Sequence, residues 1–593
     1  MLDSSAGKVT YPGFLFDNLS SQARFNDPGA DTIFSHSRDI ATFSQWRSRS
    51  SSRAGSRDPS PDARAASTTS NIKLHVPTGF NTPSQMVVMT PKGPIRLPSL
   101  HTPRSSGRSV KYCIYEYETL VDSSDIGFND WIRMASDIEA NYEHYDAFIL
   151  LHGTDTMAYT ASALSFLLEN LGKPVILTGA QIPLSEVRND AVDNLLGALA
   201  LAGNFCIPEV TLFFHHTLFR GCRSTKSSSF DFEAFSSPNM LPLAKVGISI
   251  DIDWRSVLRP TVLKPFRVHK RLCQDVATLR LFPGITTASV KAFLASPLKG
   301  VVLSTYGAGN CPQRPDLLQA FKDATDRGVV IVNITQCQKG TVEALYENGR
   351  KLAAVGVVGG SDMTVEGALA KLAYLLAKDL TAEEVRRLMT DSIRGELTQP
   401  KPIITDLADS KYSKMKGLFA RLLLLTPKSG SLPGAADLHR VAGQGISDND
   451  LTSVEDALNP LLVASAAAKP DESLATLLED LLGSEKAESQ NGMMQGLGLL
   501  NNFTTHSPLH IACLHGIVKN VEILLQYGAS VHLRDVSGHT ALYYALTSHH
   551  ATRDERKQMV QALRSAGAHL SQHEKSHGES LHDYDNELRQ WSE

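Results

Sequence analysis

A hydroxyl and a carboxylate stand side by side at Thr154-Asp155, within Asp146 to Ala161, D-A-F-I-L-L-H-G-T-D-T-M-A-Y-T-A. Such a pair on a tight turn points to an active site, because it combines a potential nucleophile or water-positioning group with a proton acceptor. The flanking residues say how the pair would be held. Ala147 to Leu151 is an apolar run of strand length. His152-Gly153 breaks it, and Met157 to Asn170 has helical character. A strand, polar turn and helix place side chains at the carboxyl end of a parallel sheet, where ligands bind in doubly wound α/β folds. The plainer alternative is that Thr154 and Asp155 cap the helix.

The elements around this stretch repeat its pattern. Asp130 to Asn141 is helical. Pro174 to Gly179 is a second apolar strand, followed by Ala180-Gln181-Ile182-Pro183 and a helix from Asn189 to Gly203. Glu209 to Phe214 is a third strand, and Ser227 to Pro265 is a loop region. Strands at Val276 to Leu281, Val301 to Tyr306 and Val329 to Thr335 alternate with helices at Ala320 to Arg327, Asp362 to Ala377 and Thr381 to Thr390. Short apolar strands alternating with helices imply parallel sheets covered on both faces. The expected fold is a doubly wound α/β domain over 105–265 and a smaller α/β domain over 266–427. Before them, residues 1–104 do not read as a compact unit, and from Val110 the character changes, Tyr112 to Leu120 alternating like a strand. Arg47 to Thr69 is rich in Arg and Ser and reads as a disordered insertion.

Residues 428–455 are a Gly/Pro/Ser-rich linker. Beyond it, S-P-L-H-I-A at Ser507 and T-A-L-Y-Y-A at Thr540 recur 33 residues apart, and Gly516 and Gly528 punctuate the first unit. This period and wording resemble ankyrin repeats, an all-α region over 456–575 with a degenerate earlier unit near Asn459 to Leu481. A tail, 576–593, follows. Such arrays commonly bind proteins, and an attached stabilising domain is the other reading.

Composition narrows the function classes. The 593 residues carry 58 basic and 62 acidic side chains, net −4, which gives no reason to expect nucleic acid or membrane partners. There is no transmembrane-length apolar run and no signal-peptide pattern. Seven scattered cysteines without C-x-x-C argue for a reducing, cytoplasmic setting, with no metal site and no cofactor motif.

The block L-L-H-G-T-D-T-M-A-Y-T-A resembles the second signature of the asparaginase/glutaminase family, and the likeness extends over roughly 105–425. It implies an amidohydrolase that turns asparagine and water into aspartate and ammonia without a cofactor, working as a homo-oligomer. Thr154 would position or activate water. Asp155 would bind the substrate amine or orient the relay. Lys226, in R-G-C-R-S-T-K-S, matches the family's buried relay lysine. Asp122-Ser123-Ser124 matches the D-S-S that clamps the substrate carboxylate. Glu366, in D-M-T-V-E, matches a glutamate that reaches a neighbouring subunit's site. Tyr306 to Asn310 matches a Y-G-x-G-N loop, near which, and near Gln336-Cys337, relatives bind a regulatory asparagine. The family's first signature, a strand ending T-G-G-T-I whose last Thr is the nucleophile, is not found. Val76 to Phe80 is no substitute, and Ser5 to Asp31 resembles the segment that follows that strand in fungal-type relatives. The expectation is therefore an asparaginase whose first strand would precede Met1. The alternative is a catalytically dead chain that binds proteins through its repeats.

Overall fold

The computed structural model describes residues 85–104, 109–342, 347–399, 462–470 and 506–571, with shorter stretches between 2 and 45, between 475 and 482 and at 574–575. The Arg/Ser run, the linker and the tail lie outside the described residues. The chain divides into two units, Met1–Val121 and Asp122–Glu593.

The first unit departs from the sequence expectation. Helix α1 (Phe14–Ser20) and an antiparallel sheet of β1 (Gln85–Thr90), β2 (Gly93–His101) and β3 (Lys111–Cys113) give it a core of its own, with Leu19, Phe25, Val88 and Leu100 buried. The Tyr112 hydroxyl donates to the Phe25 carbonyl at 2.8 Å. Pro94 and Pro98 hid β2, because proline weakens a strand reading. They are accommodated where β2 pairs on one side alone, since β3 reaches only Ser99 to His101. The strand expected over Tyr112 to Leu120 shortens to β3.

The second unit opens with α2 (Phe128–Asn141) and a sheet that begins parallel: β4 (Phe148–Leu151), β5 (Val175–Thr178) and β6 (Val210–Phe214). The sheet then continues antiparallel through β7 (Thr217–Arg220). A small ribbon pairs β8 (Thr225–Lys226) with β9 (Phe235–Ser236). The main sheet ends in β10 (Ala244–Val246) and β11 (Ile250–Ile252). The β6–β7 turn is made by His215 and His216, at φ 45 and 62, the left-handed pair that a two-residue hairpin turn requires. Strands β5 and β6 are fully buried and apolar. Among the described residues β4 is the sheet edge, and its apolar residues are only half covered, Leu151 being 48% exposed.

Helix α3 (Met157–Leu167) is buried at every residue but Tyr159, as a helix apolar on all sides must be. Helix α4 (Ala191–Asn204) covers the sheet's other face, where Ile176, Ala198, Phe213 and Trp254 form a core. The smaller domain is a parallel sheet in the order β12 (Val276–Arg280), β13 (Gly300–Thr305), β14 (Val330–Thr335), β15 (Val358–Gly359). It carries α5 (Thr287–Phe293), α6 (Pro315–Asp326), α7 (Val365–Leu376) and α8 (Ala382–Thr390).

Among the described residues the repeats show two complete helix pairs, α9 (Pro508–Leu514) with α10 (Val518–Gln526) and α11 (Ala541–Thr547) with α12 (Arg553–Ser565). Leu462, Val463, Ala466, Ala475 and Leu478 of the earlier unit enter the same core. The array is seated on the amino ends of the parallel strands. Arg534 donates to Asp146 at 2.8 Å just before β4. Lys173, just before β5, donates to the Tyr142 and Tyr145 carbonyls at 2.5 and 2.8 Å and lies 3.1 Å from His569. The Cys206 sulfur, before β6, is 3.3 Å from the Ser530 hydroxyl.

Candidate active site

Parallel pairing sets Leu151 opposite Thr178, so the turns after β4 and β5 leave the sheet side by side. Thr154 and Asp155 occupy the first turn and Gln181 the second. Neither Thr154 nor Asp155 caps α3. Its N-cap is Thr156, and the Thr156 hydroxyl donates instead to the Ser123 carbonyl at 2.5 Å. That bond draws the Asp122-Ser123-Ser124 turn onto the Thr154 turn. Gly153 permits the approach, because a Cβ there would lie 2.5 Å from the Ser123 hydroxyl oxygen. The Asp122 carboxylate accepts from the Ser124 backbone at 2.8 Å and from its hydroxyl at 2.7 Å, which holds its pKa below the ordinary value.

Lys226 arrives from the β8 ribbon. Its ammonium donates to the Thr154 hydroxyl at 2.8 Å and to the Asp155 carboxylate at 2.7 Å. Two neighbouring side chains and a third, 71 and 72 residues further on, therefore converge on one point. The expectation of a buried lysine is met only in part. The Lys226 side chain is 20% exposed and that of Asp155 is 66% exposed, so the ion pair is a positioning contact and not a source of much stability.

Two residues at the site escaped the sequence reading. Gln181 accepts the Thr154 hydroxyl proton at 3.1 Å and donates to the Asp231 carbonyl at 3.1 Å, while Asp190 receives the Gln181 and Ile182 backbone amides at 3.0 Å each. Its signal was its place just beyond an apolar strand. His152 is buried, with one ring nitrogen 2.6 Å from the Gly153 carbonyl and the other 2.8 Å from the Thr160 hydroxyl, which accepts from the Trp131 indole at 2.9 Å. Burial lowers its pKa and favours the neutral ring. Its only sequence signal was a polar residue closing an apolar strand.

Glu366 is buried and accepts the Thr225 hydroxyl at 2.7 Å, and burial raises its pKa. The Tyr306 to Asn310 loop closes on itself at the end of β13 by a bridge between Tyr306 and Asn310. Among the described residues no group of three His, Cys, Asp or Glu side chains is placed to hold a metal ion, and no helix is long and apolar enough to cross a membrane.

The arrangement brings hydroxyls, carboxylates and an ammonium within hydrogen-bond reach of one another. Comparison with known proteins gives the family. Family models match at 65–258 (asparaginase, N-terminal), 275–389 (glutaminase/asparaginase C-terminal domain) and 461–573 (ankyrin repeats, 3 copies). An L-asparaginase of Dirofilaria immitis is 40% identical over 81% of this chain and 73% of that protein. A Homo sapiens 60 kDa lysophospholipase is 43% identical over 69% of this chain and 65% of that protein. L-asparaginase 1 of Escherichia coli K12 is 48% identical over 51% of this chain and 88% of that protein. Among solved structures, L-asparaginase I of Vibrio cholerae matches with a TM-score of 0.46 at 49% identity, covering 48% of this chain and 86% of that one. The three-residue convergence at Lys226 and these sequence matches lead to one assignment: the chain belongs to the asparaginase family.

Proposed function

We propose that this chain is built to hydrolyse L-asparagine to L-aspartate and ammonia, with Lys226, Thr154 and Asp155 as its proton relay. The observation that carries the reading is the Lys226 ammonium 2.8 Å from Thr154 and 2.7 Å from Asp155. A side-chain amide resists water at neutral pH. It yields to an activated hydroxyl that forms an acyl intermediate, then to a positioned water that hydrolyses it. Ser123 and Ser124 would hold the substrate carboxylate and Asp155 its amine. Lys226, through Thr154, would carry the proton from the attacking hydroxyl to the leaving ammonia.

The acyl-bearing hydroxyl is assigned by resemblance to a strand ending T-G-G-T-I. Assembly into homo-oligomers, a cytoplasmic setting and a protein partner for the array belong to the same reading.

Ammonia release tests it. A form of the protein that carries such a strand should release ammonia from asparagine, and no release would overturn the proposal. In that active form Thr154→Ala and Lys226→Ala should each lower kcat by at least about a hundredfold. Full activity in either variant removes that residue from the relay. A lysophospholipid, suggested by the relatives of that name, is the control substrate. The polar surroundings of Thr154 favour asparagine over it.

A further inference from the structure

The relay lysine sits on a ribbon of the first α/β domain, yet the residues leading to it are gripped by the second. Arg223 makes a bidentate pair with Asp362 at 2.9 and 2.7 Å, and also donates to the Glu396 carbonyl at 2.8 Å and the Thr398 hydroxyl at 2.9 Å. The Cys222 thiol donates to the Arg394 carbonyl at 3.4 Å. The first turn of α7 lies so close to this segment that a Cβ on Gly367 would be 2.7 Å from the Cys222 carbonyl oxygen. Finally, Thr225, the residue before Lys226, gives its hydroxyl proton to Glu366 on α7 at 2.7 Å.

These contacts are buried. The Arg223 and Asp362 side chains are 3% and 9% exposed, and Glu366 is 8% exposed. Polar groups withdrawn from water in this way hold their partners in one geometry, because leaving any of them unpaired is costly. Lys226 itself is tethered to its own domain by the two-residue β8–β9 pairing and by its contacts with Thr154 and Asp155. Attachments at Cys222, Arg223 and Thr225 therefore set where its backbone lies.

We propose that the second domain positions Lys226, and that Glu366 is a positioning residue acting through Thr225 and not a group that meets substrate. The proposal rests on Lys226 being the relay lysine. In strand-twist terms, α7 and the 394–398 segment hold β8 at the angle from which the lysine reaches Thr154.

Competitive acylation of lysines in the full chain, read residue by residue by mass spectrometry, tests this without needing turnover. Thr225→Val, which removes one hydroxyl, should raise Lys226 acylation about fivefold relative to exposed Lys245, the shift expected for loss of one buried hydrogen bond. Buried Lys173 and Lys371 should stay protected. Glu366→Ala should act in the same direction, whereas Glu366→Gln, which keeps an acceptor for Thr225, should stay within about twofold of the parent. An unchanged Lys226 rate in Thr225→Val overturns the proposal. If Glu366→Ala also exposes Lys173 and Lys371, that variant has lost its fold and Thr225→Val decides alone. Because acylation reads geometry and ammonia release reads chemistry, a failed clamp and a failed amidase reading give different results.

Discussion

Thr154 has one hydroxyl proton and gives it to Gln181, so Lys226 meets the oxygen's lone pairs. For Lys226 to take a proton through Thr154, that hydroxyl must turn away from Gln181. In the proposed relay, Gln181 would therefore set the direction from which the proton starts. Gln181→Leu, in a form that turns over, should lower kcat about ten- to a hundredfold with little change in KM, as loss of orientation does. Steady-state ammonia release measures both. An effect confined to KM would make Gln181 a substrate contact instead. Thr154, Asp155 and Lys226 were legible because their neighbouring wording is distinctive. Gln181 was not, because a single glutamine after a strand has no spacing signature, and its role exists only once β4 and β5 lie in register. The Glu366 motif was plain, but its bond to Thr225 depends on α7 packing against Cys222 and Thr225, which no local pattern encodes.

At the scale of elements, the turns after β4 and β5 meet where Gly179 closes on His152. A Cβ on Gly179 would lie 2.2 Å from the His152 carbonyl oxygen, a backbone atom that cannot swing aside. Gly179→Ala should destabilise the second unit by about 1–3 kcal/mol and displace the Thr154 turn, lowering both the unfolding temperature and any turnover. A variant with parental stability and activity would show that the two turns separate freely. The buried parallel strands were readable because both faces are covered, which makes their sequences continuously apolar. What was hidden is the antiparallel part. β7 follows a turn of two histidines and not the usual Asn-Gly, β10 and β11 are three residues long with polar members, and prolines disguise β2. The 33-residue repeat was readable as well, because its helices repeat a pattern local to the chain.

At the scale of the whole molecule, the seat of the array could not be read in advance, since it joins residues hundreds of positions apart, such as Lys173 and His569. This seat has a pH dependence. Burial, with the Lys173 charge beside it, holds His569 down to about 4, and the same two causes hold His532 well below its ordinary value. Folded-state values below 6.5 mean that the neutral rings contribute fully above about pH 6.5 and lose that contribution as the pH falls toward about 4. The unfolding midpoint should therefore drop between pH 7 and pH 5, by about 2–4 °C for each kcal/mol lost. His569→Asn, which cannot be protonated, should lessen the drop, and an identical pH profile in that variant would clear His569 of the effect. Asp146, Lys173 and Cys206 precede β4, β5 and β6, whereas Thr154 and Gln181 follow β4 and β5, so the two ends of the parallel strands serve different traffic. A surface or partner that captured the chain by its repeats would hold it with the catalytic mouth facing outward, so immobilisation through the array should leave substrate entry and ammonia exit unobstructed.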